Sequence, residues 1–158
     1  METARLFNVK SVTEDIKTPM FTLHSTDDIL FFTVIQEKPP ISEWIKSFHV
    51  VLEECHKRMK RKQFFSVVVN LAHVKGVDFS EKNSIDAFKE LRELFIHVTV
   101  EEFEHVNGTI VICDNNPVVA TVLRLTINMC LNSGVVHVPY KVCSNETEIS
   151  NARKVLKF

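Results

Sequence analysis

The sequence is poor in the residues and patterns that build cofactor sites. It holds only three glycines in 158 residues, and it contains no GxxxxGK, GxGxxG, GxSxG or HExxH pattern. Seven histidines are scattered singly, without the close spacing of zinc ligands. We therefore predict a protein that is not an enzyme and that has no metal and no cofactor.

Long apolar runs and an excess of charge are also missing. Apolar runs such as residues 29–32 are far too short to cross a bilayer, so no transmembrane segment is expected. The formal net charge is −1 and the pI is about 6.7, so no overall positive field predicts nucleic-acid binding. Residues 56–62 form one basic cluster. We interpret it as a solvated helix end, with a phosphate or anionic-lipid patch as the alternative.

The four cysteines show no CxxC spacing and no pairing pattern. Buried free thiols of a reducing compartment explain them best. The N-terminus shows no charged-then-apolar signal region, so we expect an intracellular, cytoplasmic protein, or a nuclear or assembly-bound one. The cysteines are Cys55, Cys113, Cys130 and Cys143.

The first half of the chain predicts two strands, a long helix and a central strand. Residues 21–24 and 29–35 are rich in β-branched and aromatic residues, with a polar turn between them. Residues 41–59 carry apolar side chains at three- and four-residue steps, which is typical of an amphipathic helix. Residues 64–71 are almost continuously apolar and predict a strand buried on both faces.

The second half alternates between helix and strand. Ser80 or Ser84 is expected to cap a helix that carries Ile85 on its apolar face. Strands are predicted at residues 109–113 and 135–142, and a last helix after Ser144. Between those two strands, Asn116 and Pro117 open a helix expected to point four side chains inward, namely Val118, Val122, Leu125 and Met129.

The resulting order is ββαβαβαβα, which predicts an α/β fold with a mixed, mostly parallel sheet. Residues 20–158 form a single domain in this interpretation. Residues 1–19 are a polar segment with one short apolar patch, and they are expected to form an N-terminal arm or an extra edge strand.

Three stretches resemble the STAS domain, the fold of bacterial anti-sigma factor antagonists and of the cytoplasmic tails of sulfate transporters. Residues 67–80 are similar to that family's hydrophobic strand, loop and Asp-Ser helix start. Residues 116–126 resemble its third helix, and residues 144–148 resemble the start of its last helix. The resemblance implies a STAS-like domain over residues 20–158 that works by protein–protein interaction.

The sequence also departs from that family. In the sigma-regulator branch a phosphorylatable Ser follows the Asp directly, whereas here Phe79 follows Asp78 and Ser80 comes one position later. Asn70 stands where the strand usually has Asp. Ser80 remains a candidate phosphorylation site, but these departures count against a phosphorylation switch. A CRAL-TRIO lipid-binding domain has a similar core, but it is expected to need a further N-terminal helical segment.

Polar residues follow two neighbouring strands of the predicted sheet. Ligand sites in open α/β sheets prefer the edge formed by the carboxyl ends of the strands. A partner-binding site is therefore predicted there, unless these residues only stabilise turns and helix caps. The candidate residues are His73, Asp78, Phe79, Ser80, Asp114 and Asn115.

The leading hypothesis is a non-catalytic module that binds a protein partner through residues 74–84 and the helix that follows. One alternative is a structural subunit of a large assembly, such as a capsid or an organellar complex. Another is a carrier of a lipid or other small apolar ligand. The partner's identity stays open, and the chain could form a homo- or hetero-oligomer.

Overall fold

The computed structural model describes residues 7, 13–26, 28–87, 89–90, 93, 105–113, 116–131, 139–156 and 158. Six strands and three long helices are defined there, and residues 84–87 and 89–90 are also helical. The elements are β1 Thr13–Lys17, β2 Phe21–Ser25, β3 Ile29–Val34, α1 Ile41–Lys60, β4 Phe65–Leu71, β5 Val106–Cys113, α2 Pro117–Leu131, β6 Tyr140–Cys143 and α3 Glu146–Val155.

The six strands form one sheet in which each strand lies beside the next strand in the chain. β1, β2 and β3 are antiparallel neighbours, whereas β3, β4, β5 and β6 are all parallel. Parallel neighbours need a crossover connection, and α1 and α2 are the crossovers into β4 and β6. The predicted α/β class with a mixed, mostly parallel sheet is confirmed.

The N-terminal segment contributes to both the sheet and the core. β1 lies at the edge of the sheet, with Ile16 opposite Leu23 of β2. Phe7 is buried against Phe31, with 5.7 Å between the ring centroids, and against Phe158, with 5.8 Å. Two parts of the segment 1–19 are therefore packed onto the domain.

The first face of the sheet is covered by α1. The helix buries Val51, Leu52 and Cys55. These side chains lie over β2, β3 and the residues of β4 that include Phe65 and Val67. The predicted long amphipathic helix is thus present, and its apolar stripe forms one half of the core.

The second face is covered by α3. Ile149 and Ala152 pack on Val68, Ile110 and their neighbours, which alternate along the strands with the side chains that face α1. β4 is therefore buried on both faces, as its near-continuous apolar run predicts.

The basic cluster is not fully solvated, because Arg58 turns inward. Its side chain is 6% exposed, it donates a hydrogen bond to the Thr26 carbonyl, and its guanidinium lies 5.2 Å from the centre of the Phe65 ring. The interpretation of residues 56–62 as a solvated helix end is wrong for this residue. One cation of the cluster instead joins α1 to the β2–β3 turn and to β4.

The predicted inward direction is wrong for three of the four α2 side chains, and the side chain of the fourth, Met129, lies outside those that the structure describes. Val118, Val122 and Leu125 are 70%, 56% and 60% exposed, whereas Ala120 is buried. α2 has only one charged residue in fifteen, Arg124. A helix with so few polar positions has no clear polar face, so its sequence does not tell which side meets the sheet.

β5 begins earlier than predicted, since Asn107 and Gly108 lie inside the strand. Its pairing with β4 shifts register between Phe65 and Val67, which is where the extra residue is accommodated. Gly108 is buried beneath Leu156. Among the described residues, no helix has both the length and the apolar character to cross a membrane.

Gly108→Ala is expected to destabilise the fold. A Cβ at this position would lie 3.3 Å from Leu156 Cβ, and such overpacking costs about 1–3 kcal/mol. Gly76→Ala is the matched control, because its Cβ would meet only Lys38 Cε at 3.9 Å. Urea unfolding followed by circular dichroism measures both variants. Equal free energies of unfolding for the two variants would contradict this account of the Gly108 site.

Candidate functional site

The loop after β4 is joined to the segment after β3 by backbone hydrogen bonds. We call residues 74–84 the carboxyl-edge loop. Lys75 N donates to Glu37 O at 2.7 Å, and Asp78 N donates to Pro39 O at 3.1 Å. Pro40 and Asp78 form an isolated parallel bridge. These contacts continue the pairing of β3 with β4 past the strand ends, so the loop lies against the start of α1.

Asp78 closes a tight turn with Ser80. The Ser80 N–H donates to Asp78 Oδ1 at 2.8 Å. The pKa of Asp78 is lowered by hydrogen bonds from the Ser80 hydroxyl and then from its backbone N–H, with a smaller effect from the charge of Lys38. Asp78 is therefore a carboxylate near neutral pH, with local donors on its oxygens. This is the chemistry of an Asx turn, and a general base at neutral pH would need a raised pKa instead.

A second set of contacts holds the far end of the loop. The Ser42 hydroxyl in the first turn of α1 donates to Glu81 Oε1 at 2.9 Å. The Ser84 hydroxyl donates to the carbonyls of Phe79 at 2.9 Å and Glu81 at 2.6 Å. The loop is thus fixed near its start, in its middle and at its end.

The helix after the loop begins at Ser84, so Ser80 does not open it. Asn83, directly before the helix, has a φ of 69°, and its carbonyl accepts from Ala87 N at 3.1 Å. Ser80 instead lies in the turn made by Asp78. Ser84 is the first residue of the helix and not its cap, because its hydroxyl donates to the carbonyls of Phe79 and Glu81. The predicted cap at Ser80 is wrong.

Apolar side chains in the loop and close to it in sequence or pairing are exposed to solvent. Phe79 is 57% exposed and Ile85 is 73% exposed, while Ile35 at the end of β3 is 46% exposed. Exposed charged residues, including Lys75 and Lys82, lie in the same loop. An aromatic side chain with a polar surround is the usual composition of a protein-binding surface.

The predicted site residues fall into two groups. His73, Asp78, Phe79 and Ser80 all lie in or beside the carboxyl-edge loop, and His73 is exposed in the turn after β4. Within the described residues, no hydrogen bond or ion pair joins His73 to Asp78. Residues 114 and 115, the predicted Asp114 and Asn115, lie outside the described residues.

Two residues of this surface were missed by the sequence interpretation. Ile85 was expected on the buried face of its helix, and Ile35 at the end of a strand. Both are apolar, and periodicity alone assigns apolar residues to the core. Their exposure is visible only in the folded chain.

Nucleophilic chemistry is not favoured at the neighbouring strand ends. Burial raises the pKa of Cys143 to about 11, and burial also raises the pKa of Cys113. Both thiols are therefore protonated near neutral pH and are weak nucleophiles. Where side chains are described, no three His, Cys, Asp or Glu residues are grouped as metal ligands would be. The arrangement offers hydrogen bonding and apolar contact.

Comparison with known proteins gives no relative: no family model, no curated protein and no solved structure matches this chain.

Ser80→Ala is expected to raise the pKa of Asp78 toward the ordinary aspartate value. The variant loses the hydroxyl donor and keeps the backbone N–H, so only part of the lowering should disappear. Since the folded pKa is depressed, the turn is intact at neutral pH and opens only as the pH falls below about 4. An NMR titration of the Asp78 carboxyl carbon measures this. Ser150→Ala is the control, because Ser150 is exposed on α3 and far from Asp78 in sequence. An unchanged Asp78 pKa in Ser80→Ala would contradict the hydrogen bond from the Ser80 hydroxyl.

Proposed function

We propose that this chain is a non-catalytic interaction module of STAS-like type. It binds a protein partner through the carboxyl-edge loop and the helix that follows. The observation that carries this proposal is Phe79, an aromatic side chain 57% exposed on a loop that is hydrogen-bonded to α1 and to the segment after β3. Aromatic residues, Phe among them, are enriched in protein interfaces relative to the rest of the surface.

The fixed backbone of the loop supports recognition. Ordering a flexible loop on binding costs conformational entropy, and a loop already held in place avoids much of that cost. Here Glu37 accepts a hydrogen bond from the start of the loop and Pro39 accepts one from its middle. The Ser42 hydroxyl donates to Glu81 near the end of the loop. The position of Phe79 is therefore set before a partner arrives.

The STAS-like assignment is supported by the order of the elements and by the loop after the central strand. Asn70, which departs from the family pattern, accepts a hydrogen bond from Ala72 N at 3.0 Å through its side-chain oxygen. An Asp carboxylate could accept the same bond, so Asn70 is compatible with the turn at the end of β4.

A phosphorylation switch at Ser80 is disfavoured by its surroundings. Its hydroxyl and N–H both point to the Asp78 carboxylate. A phosphate on this hydroxyl would meet a negative charge rather than free amides at a helix N-terminus. We propose that the loop binds its partner in the unmodified state. The described cysteines Cys55, Cys113 and Cys143 are buried and form no disulfide, which supports an intracellular, cytoplasmic setting.

Phe79→Ala is expected to weaken partner binding about 30-fold, since truncation of a central aromatic residue typically costs about 2 kcal/mol or more. The assay first identifies the protein that the immobilised wild-type chain retains from an extract of the native source. Its affinity for each purified variant is then measured by biolayer interferometry.

Phe64→Ala is the matched control for this measurement. Phe64 is 61% exposed, similar to Phe79. It precedes β4, so it lies at the amino end of that strand, whereas the carboxyl-edge loop follows the carboxyl end. The control is expected to bind like wild type. If Phe79→Ala binds the partner with the same affinity as the wild-type chain, the carboxyl-edge loop is not part of the binding surface.

Ser80→Asp is expected to lower partner affinity about tenfold. The new carboxylate lies beside Asp78, replaces a hydrogen-bond donor and repels the existing charge, so the turn that positions Phe79 opens. Ser150→Asp adds the same charge at an exposed position of α3 and serves as the control. If Ser80→Asp binds with wild-type affinity, Ser80 has no part in the interaction.

A further inference from the structure

The carboxyl-terminal end of α1 presents three cations in succession. Lys60, Arg61 and Lys62 are all exposed. Lys57, one turn earlier, forms an ion pair with Glu54 at 3.0 Å, whereas no described acidic side chain forms an ion pair with any of the three. Their charges are therefore directed to solvent.

The backbone at Lys62 shows that helix termination alone does not account for this residue. Lys62 N donates to Met59 O at 2.9 Å and Gln63 N donates to Arg58 O at 3.1 Å, which is the hydrogen-bond pattern of a Schellman motif. Lys62 holds the left-handed position of the motif, with a φ of 55°. Glycine is the usual residue there because it has no Cβ to clash, so a lysine at this position costs stability.

An exposed aromatic side chain lies next to these cations. Phe64 is 61% exposed, and its ring centroid lies 4.8 Å from that of His105. The contact with His105 fixes where the ring lies. Surfaces that bind the lipid–water interface combine such residues, because the aromatic side chain enters the headgroup region while lysine and arginine meet the anionic headgroups.

α3 ends at the same edge of the sheet as α1. Leu156, directly after α3, packs over Gly108 near the start of β5, and α1 ends just before β4. Lys154 is exposed in the last turn of α3, on the opposite face of the sheet from α1. Asp28 is the acidic residue among those described directly before β3, β4, β5 and β6. Cations from both faces therefore meet at this edge.

We propose that this edge binds reversibly to an anionic lipid surface. The binding residues, which we call the basic edge, are Lys60, Arg61, Lys62, Phe64 and Lys154. A local cluster of four or more Lys and Arg residues is sufficient to attract an anionic bilayer surface. Nucleic acid is the less favoured partner, because the pI of the chain is about 6.7 and nucleic-acid-binding domains are typically basic as a whole.

The basic edge is separate from the carboxyl-edge loop. Phe64 precedes β4 and Phe79 follows it, so the two surfaces lie at opposite ends of that strand. A chain bound to lipid through the basic edge would keep Phe79 turned away from the bilayer. The two proposals are therefore independent, and Phe79→Ala is expected to bind lipid like the wild-type chain.

Cosedimentation of the full chain with lipid vesicles tests the proposal. The wild-type chain is expected to bind vesicles of phosphatidylcholine mixed with phosphatidylserine, to bind pure phosphatidylcholine vesicles much more weakly, and to dissociate as salt is added. The double variant Arg61→Glu with Lys62→Glu should bind the mixed vesicles at least about tenfold more weakly. Both positions are exposed, so its circular dichroism spectrum should match that of the wild type.

The double variant Lys82→Glu with Lys89→Glu is the matched control. It makes the same change in net charge at two exposed lysines that follow β4, and it should bind the mixed vesicles like the wild type. Lys62→Gly separates binding from stability. Glycine relieves the left-handed backbone and removes the cation, so the urea midpoint should not fall while vesicle binding weakens about fivefold.

Three vesicle results would overturn the proposal: no binding of the wild-type chain to the mixed vesicles at low salt, equal binding to mixed and pure phosphatidylcholine vesicles, or wild-type binding by the variant with Arg61→Glu and Lys62→Glu. A single-stranded oligonucleotide is the comparison ligand. Binding of the oligonucleotide without binding of the vesicles would assign the basic edge to nucleic acid and would also overturn the proposal.

Discussion

The hydrogen bonds from the carboxyl-edge loop to the carbonyls of Glu37 and Pro39 determine where the proposed surface lies. They extend the pairing of β3 and β4 beyond the last residues of both strands, so the loop follows the segment into α1 instead of projecting into solvent. The Asp78 turn and the contact between Ser42 and Glu81 depend on that course. The residues on either side of Phe79, Asp78 and Ser80, are hydrogen-bonded to Pro39 O and to each other, and Phe79 itself is exposed.

The central elements could be predicted from the sequence because their patterns report directly on burial. The continuous apolar run of β4 indicates a strand that is covered on both faces. The apolar stripe of α1 indicates a helix that is covered on one face. The orientation of α2 could not be predicted in this way. Its residues are apolar on most sides, and the structure buries Ala120 while Val118, Val122 and Leu125 are exposed.

The candidate site was located by the same kind of argument, but its details depend on tertiary contacts. The edge of the sheet and the residues from His73 to Ser80 follow from strand order alone. Hydrogen bonds within the loop place Ser80 in a turn and let the helix begin at Ser84. The inward turn of Arg58 likewise depends on a carbonyl that is 32 residues away in sequence, at Thr26. No local pattern encodes such a partner.

The proposed function depends on Phe79, the exposed aromatic side chain of the carboxyl-edge loop. Site-specific photocrosslinking tests this most directly. A photoreactive amino acid is placed at position 79 or, for comparison, at position 64 on the opposite edge, and the crosslinked proteins from the native source are identified. The account predicts one specific protein adduct from position 79 and none of that protein from position 64. The same adduct from both positions, or none from position 79, would contradict it.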